Sequence, residues 1–179
     1  MDERIAIFID GSNFYHGLKE NIGISKINFQ KFVELLVGQR DLLRTYYYNA
    51  TLSTNEGERY KDQQRFFAYL RTIPNFTVRL GRLEKREGAP PEEKGVDVAI
   101  ATDMLEMAYE NAYDTCILVS GDGDFAYVIE AVKRKGKHVE NAYFWPRKNR
   151  QARHCASWHL RQVCDKFIFL NSQFLKCCF

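Results

Sequence analysis

The stretch Thr115–Phe144, "TCILVSGDGDFAYVIEAVKRKGKHVENAYF", decides the fold. "TCILVS" is a short apolar run that reads as a strand. "DFAYVIEAVKRKG" then places apolar residues at helical spacing and closes on Gly136, a residue suited to the left-handed turn that ends a helix. "KHVENAYF" returns to strand character. A strand, a helix and a strand in this length of chain form a βαβ unit, whose two strands lie parallel.

The same alternation extends outward in both directions. "RIAIFID" (Arg4–Asp10) reads as a strand entering an Asp-Gly-Ser-Asn turn, and "NFYHGLKE" as a helix with Ser12 or Asn13 placed to cap it. "NFQKFVELLV" repeats Phe29, Phe32, Val33, Leu36 and Val37 at helical spacing. "LLRTYYYNA" is a second strand, rich in aromatics. "GERYKDQQRFFAYLRTI" is a helix ending before Pro74, and "FTVRLGRL" a third strand. "EKREGAPPEEKG", with Pro90 and Pro91, reads as a loop or hairpin tip and the most mobile segment. "VDVAIATDMLEMAYENA" is a helix. Beyond Phe144, "NRQARHCASWHLRQVC" holds one or two short helices and "KFIFL" a last strand or edge segment. The pattern predicts an α/β fold with helices on both faces of a mostly parallel sheet, strand order about 3-2-1-4-5. The expectation is one domain over 1–179, with its core at about 4–170. The tail 171–179 carries no reading of its own.

Bulk properties exclude several classes. At 179 residues, 45% hydrophobic and 27% charged, the chain has an ordinary globular composition. No window of about 20 residues is free of charge, so no transmembrane helix is expected. "MDERIAIFID" reads as a strand rather than a signal peptide. Five cysteines without a C-x-x-C pair fit a reduced, cytoplasmic protein. Net charge is only +3, but Lys133 to Val163 holds nine bases and one acid, Glu140, leaving −5 elsewhere. Such asymmetry points to a polyanionic partner, with solvated helix faces as the competing reading.

Ligands of open α/β sheets bind beyond the carboxyl ends of the strands, where the strand order reverses. Two predicted strands end in acid there: the first at Asp10, the fourth at Ser120-Gly121 followed by Asp122 and Asp124. An Asp after a strand is also a common turn former or cap, and Asp124 is placed to cap the helix that follows. Asp97 heads the apolar stripe Ile100, Ala101, Met104, Leu105 and Ala108, where a carboxylate is costly unless it is paired, metal-bound or capping. Asp103 lies six residues on, about 600° around the helix, and points elsewhere. Carboxylates without dedicated His or Cys ligands favour Mg²⁺ or Mn²⁺ over zinc. A metal held this way can orient a phosphodiester and activate water. Lys133, Lys137, Arg147, Lys148 and Arg150 then offer phosphate contacts, and Phe144 and Trp145 offer stacking surfaces unless they pack in the core. A haloacid dehalogenase would need D-x-D, yet Ser12 follows Asp10 by two positions. His154 and His159 are poorly spaced for zinc, and no G-K-[ST] follows the Gly-Asp-Gly-Asp turn.

"FIDGSNFY", "KGVDVAIATDM" and "LVSGDGDFAYVIEAVKRKGKHVE", in this order, resemble the signature blocks of the NYN domain in its LabA-like branch, within the PIN-like nucleases. "SWHLRQVCDKFIFL" resembles the closing segment of that family, so the likeness spans about Arg4 to Leu170. The resemblance implies a PIN-like, Rossmann-like three-layer fold and a Mg²⁺- or Mn²⁺-dependent endoribonuclease site. Carried over by motif, Asp10, Asp97, Asp122 and Asp124 are the catalytic and metal-binding acids. Ser12, Asn13 and Ser120 support them, and Lys94 contacts phosphate or balances charge. RNA is the expected partner, with no membrane and with a homodimer left open. The alternative is a catalytically silent NYN domain that binds RNA or protein as a regulator.

Overall fold

A computed structural model describes residues 3–84, 92–145 and 154–179. The predicted loop around Pro90 and the bases Arg147, Lys148, Arg150 and Arg153 lie outside the described residues. The strands are β1 (Arg4–Asp10), β2 (Asp41–Ala50), β3 (Phe76–Glu84), β4 (Glu92–Lys94), β5 (Thr115–Val119), β6 (His138–Tyr143) and β7 (Lys166–Phe169). The helices are α1 (Gly11–Asn21), α2 (Phe29–Val37), α3 (Glu58–Thr72), α4 (Val96–Tyr109), α5 (Ala126–Arg134) and α6 (Trp158–Val163).

All seven strands form one sheet in the order β4-β3-β2-β1-β5-β6-β7. Every neighbouring pair is parallel except β3 and β4, an antiparallel hairpin that adds the short β4 to one edge. With β4 set aside, the predicted 3-2-1-4-5 order holds, and "KFIFL" extends it as β7 beside β6.

Strand periodicity explains the two cores. Ile5, Ile7 and Ile9 of β1 face one layer, where Phe14, Leu18, Phe32, Phe67 and Leu70 cover them from α1, α2 and α3. Ala6 and Phe8 face the other, against Ile100, Met104, Ile129, Val132 and Leu160 of α4, α5 and α6. β5 divides in the same way, with Ile117 and Val119 on the first face and Cys116 and Leu118 on the second. The C-terminal residues join the first core through the buried Leu175 and Cys178, and the Cys178 carbonyl accepts from the Asn28 N–H at the start of α2.

Asp103 has a structural role, as its helical phase predicts. The buried Tyr48 hydroxyl donates to Asp103 Oδ2 at 2.7 Å, and Arg79 Nε lies 3.2 Å from the same oxygen. Tyr48→Phe is therefore expected to lower stability by about 1.5 kcal/mol, the low end for a bond to a charged acceptor that keeps a second partner. A urea titration checks this; an unchanged midpoint would remove the bond from the stability account.

Candidate active site

Ile9 pairs with Val119 across β1 and β5, so Asp10 and Ser120 leave the sheet side by side where strand order reverses. Asp10 and Ser120 also follow the parity of Phe8 and Leu118, toward the α4–α5 layer. Both are buried, and Ser120 Oγ donates to Asp10 Oδ2 at 3.3 Å. The other oxygen of Asp10 accepts from the Asn13 N–H at 3.1 Å, so Asp10 itself caps α1. The expectation of a Ser12 or Asn13 cap is corrected by this bond: the helix begins at Gly11, two residues before Asn13, where its spacing suggests a start.

Asn13 braces the site instead. Its Oδ1 accepts from the Gly121 N–H at 2.9 Å, and its carbonyl accepts from the Tyr143 hydroxyl at 2.7 Å. Ser120 Oγ also accepts from the Asp122 N–H at 3.2 Å, and Asp122 Oδ1 accepts from the Asp124 N–H at 3.0 Å. Asp122 thus caps the single turn Gly123–Phe125 that leads into α5. Asp124, expected as the cap, is the exposed residue of the pair. A β-carbon on Gly121 would lie 2.3 Å from Tyr143 Cε1 and 2.7 Å from the Cys155 carbonyl oxygen, which is why glycine precedes Asp122. The Gly121 carbonyl accepts from the Ser157 N–H at 3.0 Å, tying α6 to the same turn.

Asp97 approaches from α4. The buried stripe of that helix is Val96, Ile100, Met104 and Ala108, so Val96 heads it and Asp97 stands about 100° around. This corrects the placement of Asp97 on the buried stripe. Gly95, in a left-handed conformation at φ 82°, takes the cap position, and Asp97 lies in the first turn. Asp97 is exposed as a residue, yet burial of its carboxyl, followed by the charges of Asp122 and Asp124, raises its pKa above the ordinary carboxylate value. Buried Tyr143, its pKa also pushed up by burial first, feels Asp10 and Asp122. Asp122 is the common neighbour of both groups. Lys94, half-buried, and Ser12 stand at the edges of this mouth, one ahead of α4 and the other in the first turn of α1.

The family model of the NYN domain matches residues 4–171. The chain belongs to the NYN domain family. Its fold and motif order place this NYN domain among the PIN-like nucleases. Over 138 residues it is 24% identical to the low amplitude and bright protein LabA of Synechococcus elongatus, covering 76% of this chain and 71% of that protein. It also resembles the crystal structure of a protein of unknown function from Vibrio parahaemolyticus, with a TM-score of 0.74 and 27% identity over 97% of this chain and 96% of that one.

The NYN domain's oxygen-only donor set suits the hard cation that the family implies. Among the described residues, however, no three His, Cys, Asp or Glu side chains are grouped closely enough to hold a metal ion. One oxygen of Asp10 and one of Asp122 accept from backbone N–H groups, and bare carboxylates repel. The four acids share one mouth without a closed coordination set.

The expected RNA-binding residues divide between two ends of the NYN domain. Trp145 leaves the carboxyl end of β6 on the acid side, 45% exposed, with the Arg161 guanidinium 4.6 Å from its ring centroid. Phe144 is core, stacked on Phe14. Lys133 sits in the last turn of α5, bonded to the Val163 carbonyl and paired with Asp165 at 2.8 Å. Lys137 precedes β6 at its amino end and bonds Asn111. Both therefore lie away from the acids, since a helix that starts at the mouth ends on the opposite side of the sheet. Two exposed aromatics escape the sequence reading: Tyr127, at the start of α5, and Trp158, next to Ser157. Their signal is position, since Tyr127 falls off the stripe Ala126, Ile129 and Val132.

The raised pKa of Asp97 has a stability consequence in metal-free protein. A carboxyl whose folded pKa exceeds its unfolded value holds its proton longer when folded. Its contribution is therefore most favourable at low pH and is lost as pH rises through a window just above the ordinary carboxylate range. In EDTA at neutral pH, Asp97→Asn is expected to melt slightly above the parent, by a degree or so given its exposure. A clear drop in a melting scan would show that ionised Asp97 stabilises the fold.

Proposed function

We propose that this NYN domain hydrolyses RNA phosphodiester bonds, using a divalent cation on which Asp10, Asp97 and Asp122 would close when it binds. The observation that carries this reading is the pairing of Asp10 with Ser120 at the reversal of strand order, with the same Ser120 hydroxyl accepting from the Asp122 N–H. A bound Mg²⁺ or Mn²⁺ supplies Lewis acidity to a phosphoryl oxygen and lowers the pKa of a bound water. Ser120 orients Asp10 through its hydroxyl, and Asn13 fixes the Gly121 backbone that carries Asp122. Asp124, exposed beside Asp122, would accept a proton from the attacking water. Incubating labelled RNA with the purified protein tests this: cleavage in Mn²⁺ that stops in EDTA is the expected result.

A second reading is favoured by the lack of a closed ligand set among the described residues: a silent domain that binds RNA or protein. It predicts RNA binding indifferent to EDTA and no turnover with either metal.

A further inference from the structure

A cavity of about 620 Å³ opens in the α1–α2 layer, on the other face of the sheet from the Asp10 side chain, between α1, the segment leading into α2, and α3. Its wall begins at Gly11, directly after Asp10. Tyr47 forms its floor, and Gly11 is what lets that ring reach so close, because a β-carbon there would lie 2.3 Å from Tyr47 Cζ. Phe66 stands edge to face with Tyr47, 5.7 Å between centroids, while Tyr15 and Tyr69 at the rim are 42% and 43% exposed. Lys26 brings a cationic side chain to the same opening, where Arg65 is paired with Asp62, also in the lining, at 2.7 Å. The volume is that of an ordinary small-ligand site, and the aromatic walls with a cation at the rim are the elements that hold single-stranded nucleic acid: rings for bases, bases of the protein for phosphates.

We propose that this cavity takes one unstacked nucleobase of an RNA strand, with Lys26 holding an adjoining phosphate, so that the backbone passes over the carboxyl end of β1. The inference rests on the reading of the acids as a site that acts on RNA, and it deepens that reading by naming how the strand is held. Chain geometry supports the link, since Gly11 is at once the first residue of α1 and part of the cavity wall. Tyr15 lies off the buried face of α1, and Tyr69 lies off the Phe67–Leu70 face of α3, so helical patterning gives neither a packing role. A lone exposed tyrosine needs no explanation, but two of them flank one cavity here.

The test is binding without chemistry. Fluorescence anisotropy in EDTA compares wild type, Tyr69→Ala and the double variant Tyr15→Ala/Tyr69→Ala on a single-stranded RNA oligomer, on its abasic analogue and on AMP. Both tyrosines are exposed, and a circular dichroism melt confirms that the variants fold. The double variant is expected to lose about tenfold in RNA affinity, as removal of a stacking ring does. The abasic analogue should bind wild type correspondingly less well. Equal RNA affinity in wild type and double variant overturns the proposal, and so does a wild type that binds no RNA. Binding of AMP without binding of the oligomer overturns its assignment to a strand. Failure is separable from failure of the nuclease reading: cleavage that needs Mn²⁺ and Asp122, with RNA affinity unmoved by the tyrosines, would sink the pocket alone. Loss of affinity in the double variant with no cleavage under any metal would keep the pocket and sink the hydrolase.

Discussion

Asp122→Asn is expected to lower Mn²⁺-dependent RNA cleavage by about 10³-fold or more while leaving the melting temperature within a few degrees. The argument is one of isosterism. Asn keeps the Oδ1 that accepts from the Asp124 N–H at 3.0 Å, so the turn into α5 survives. It loses the negative charge that adds to burial in raising the pKa of Asp97 and that a cation would meet. A metal contributes several kcal/mol of transition-state charge stabilisation, and each 1.36 kcal/mol is a factor of ten in rate. Single-turnover cleavage of a labelled RNA beside a thermal melt reads both halves. Undiminished cleavage by a clean preparation would remove Asp122 from the machinery.

Gly121→Ala should act through the fold rather than through charge. The added methyl would meet Tyr143 Cε1 at 2.3 Å and the Cys155 carbonyl at 2.7 Å. The ring cannot swing away cheaply, because its hydroxyl is bonded to the Asn13 carbonyl at 2.7 Å. The carbonyl belongs to backbone. Overpacking of this kind costs about 3 kcal/mol, equivalent to a fall in melting temperature of about 6–12 °C for a chain of this size. Activity should fall as well, since Asp122 is the next residue. Differential scanning calorimetry gives the decisive number, and a melting temperature unchanged within two or so degrees would mean the loop yields freely.

Much of this was legible in the sequence, and the failures have physical causes. The switching between strand and helix character gave the parallel order, and β1 and β5 read as unbroken apolar runs because each feeds both cores. Asp10 and Asp122 were legible as acids ending strands, but their capping of α1 and of the Gly123–Phe125 turn was not, since a cap depends on where the helix starts. Asp97 was misplaced by one position of helical phase, because Val96 and not Asp97 lies on the buried stripe. The basic segment misled more. Counting charge along the chain joined Lys133 and Lys137 to Trp145, yet α5 and β6 carry those lysines to the side of the sheet away from the acids. The β4 strand was hidden because three residues paired antiparallel on an edge carry no period of their own. No described helix is long and apolar enough to cross a membrane, in line with the hydropathy reading.

The burial of Leu175 and Cys178 against the α1–α2 layer has a consequence for how the molecule is made. The Asn28 N–H that bonds the Cys178 carbonyl belongs to an early helix, separated from its partner by most of the chain. During synthesis, Phe32, Val33 and Leu36 must therefore emerge from the ribosome long before the segment that completes their cover. Until residue 178 clears the exit tunnel, that apolar face is open to chaperones or to a neighbouring nascent copy. A stalled or truncated product ending before Asn171 should thus be prone to aggregation in a way a chain that extends past residue 178 is not.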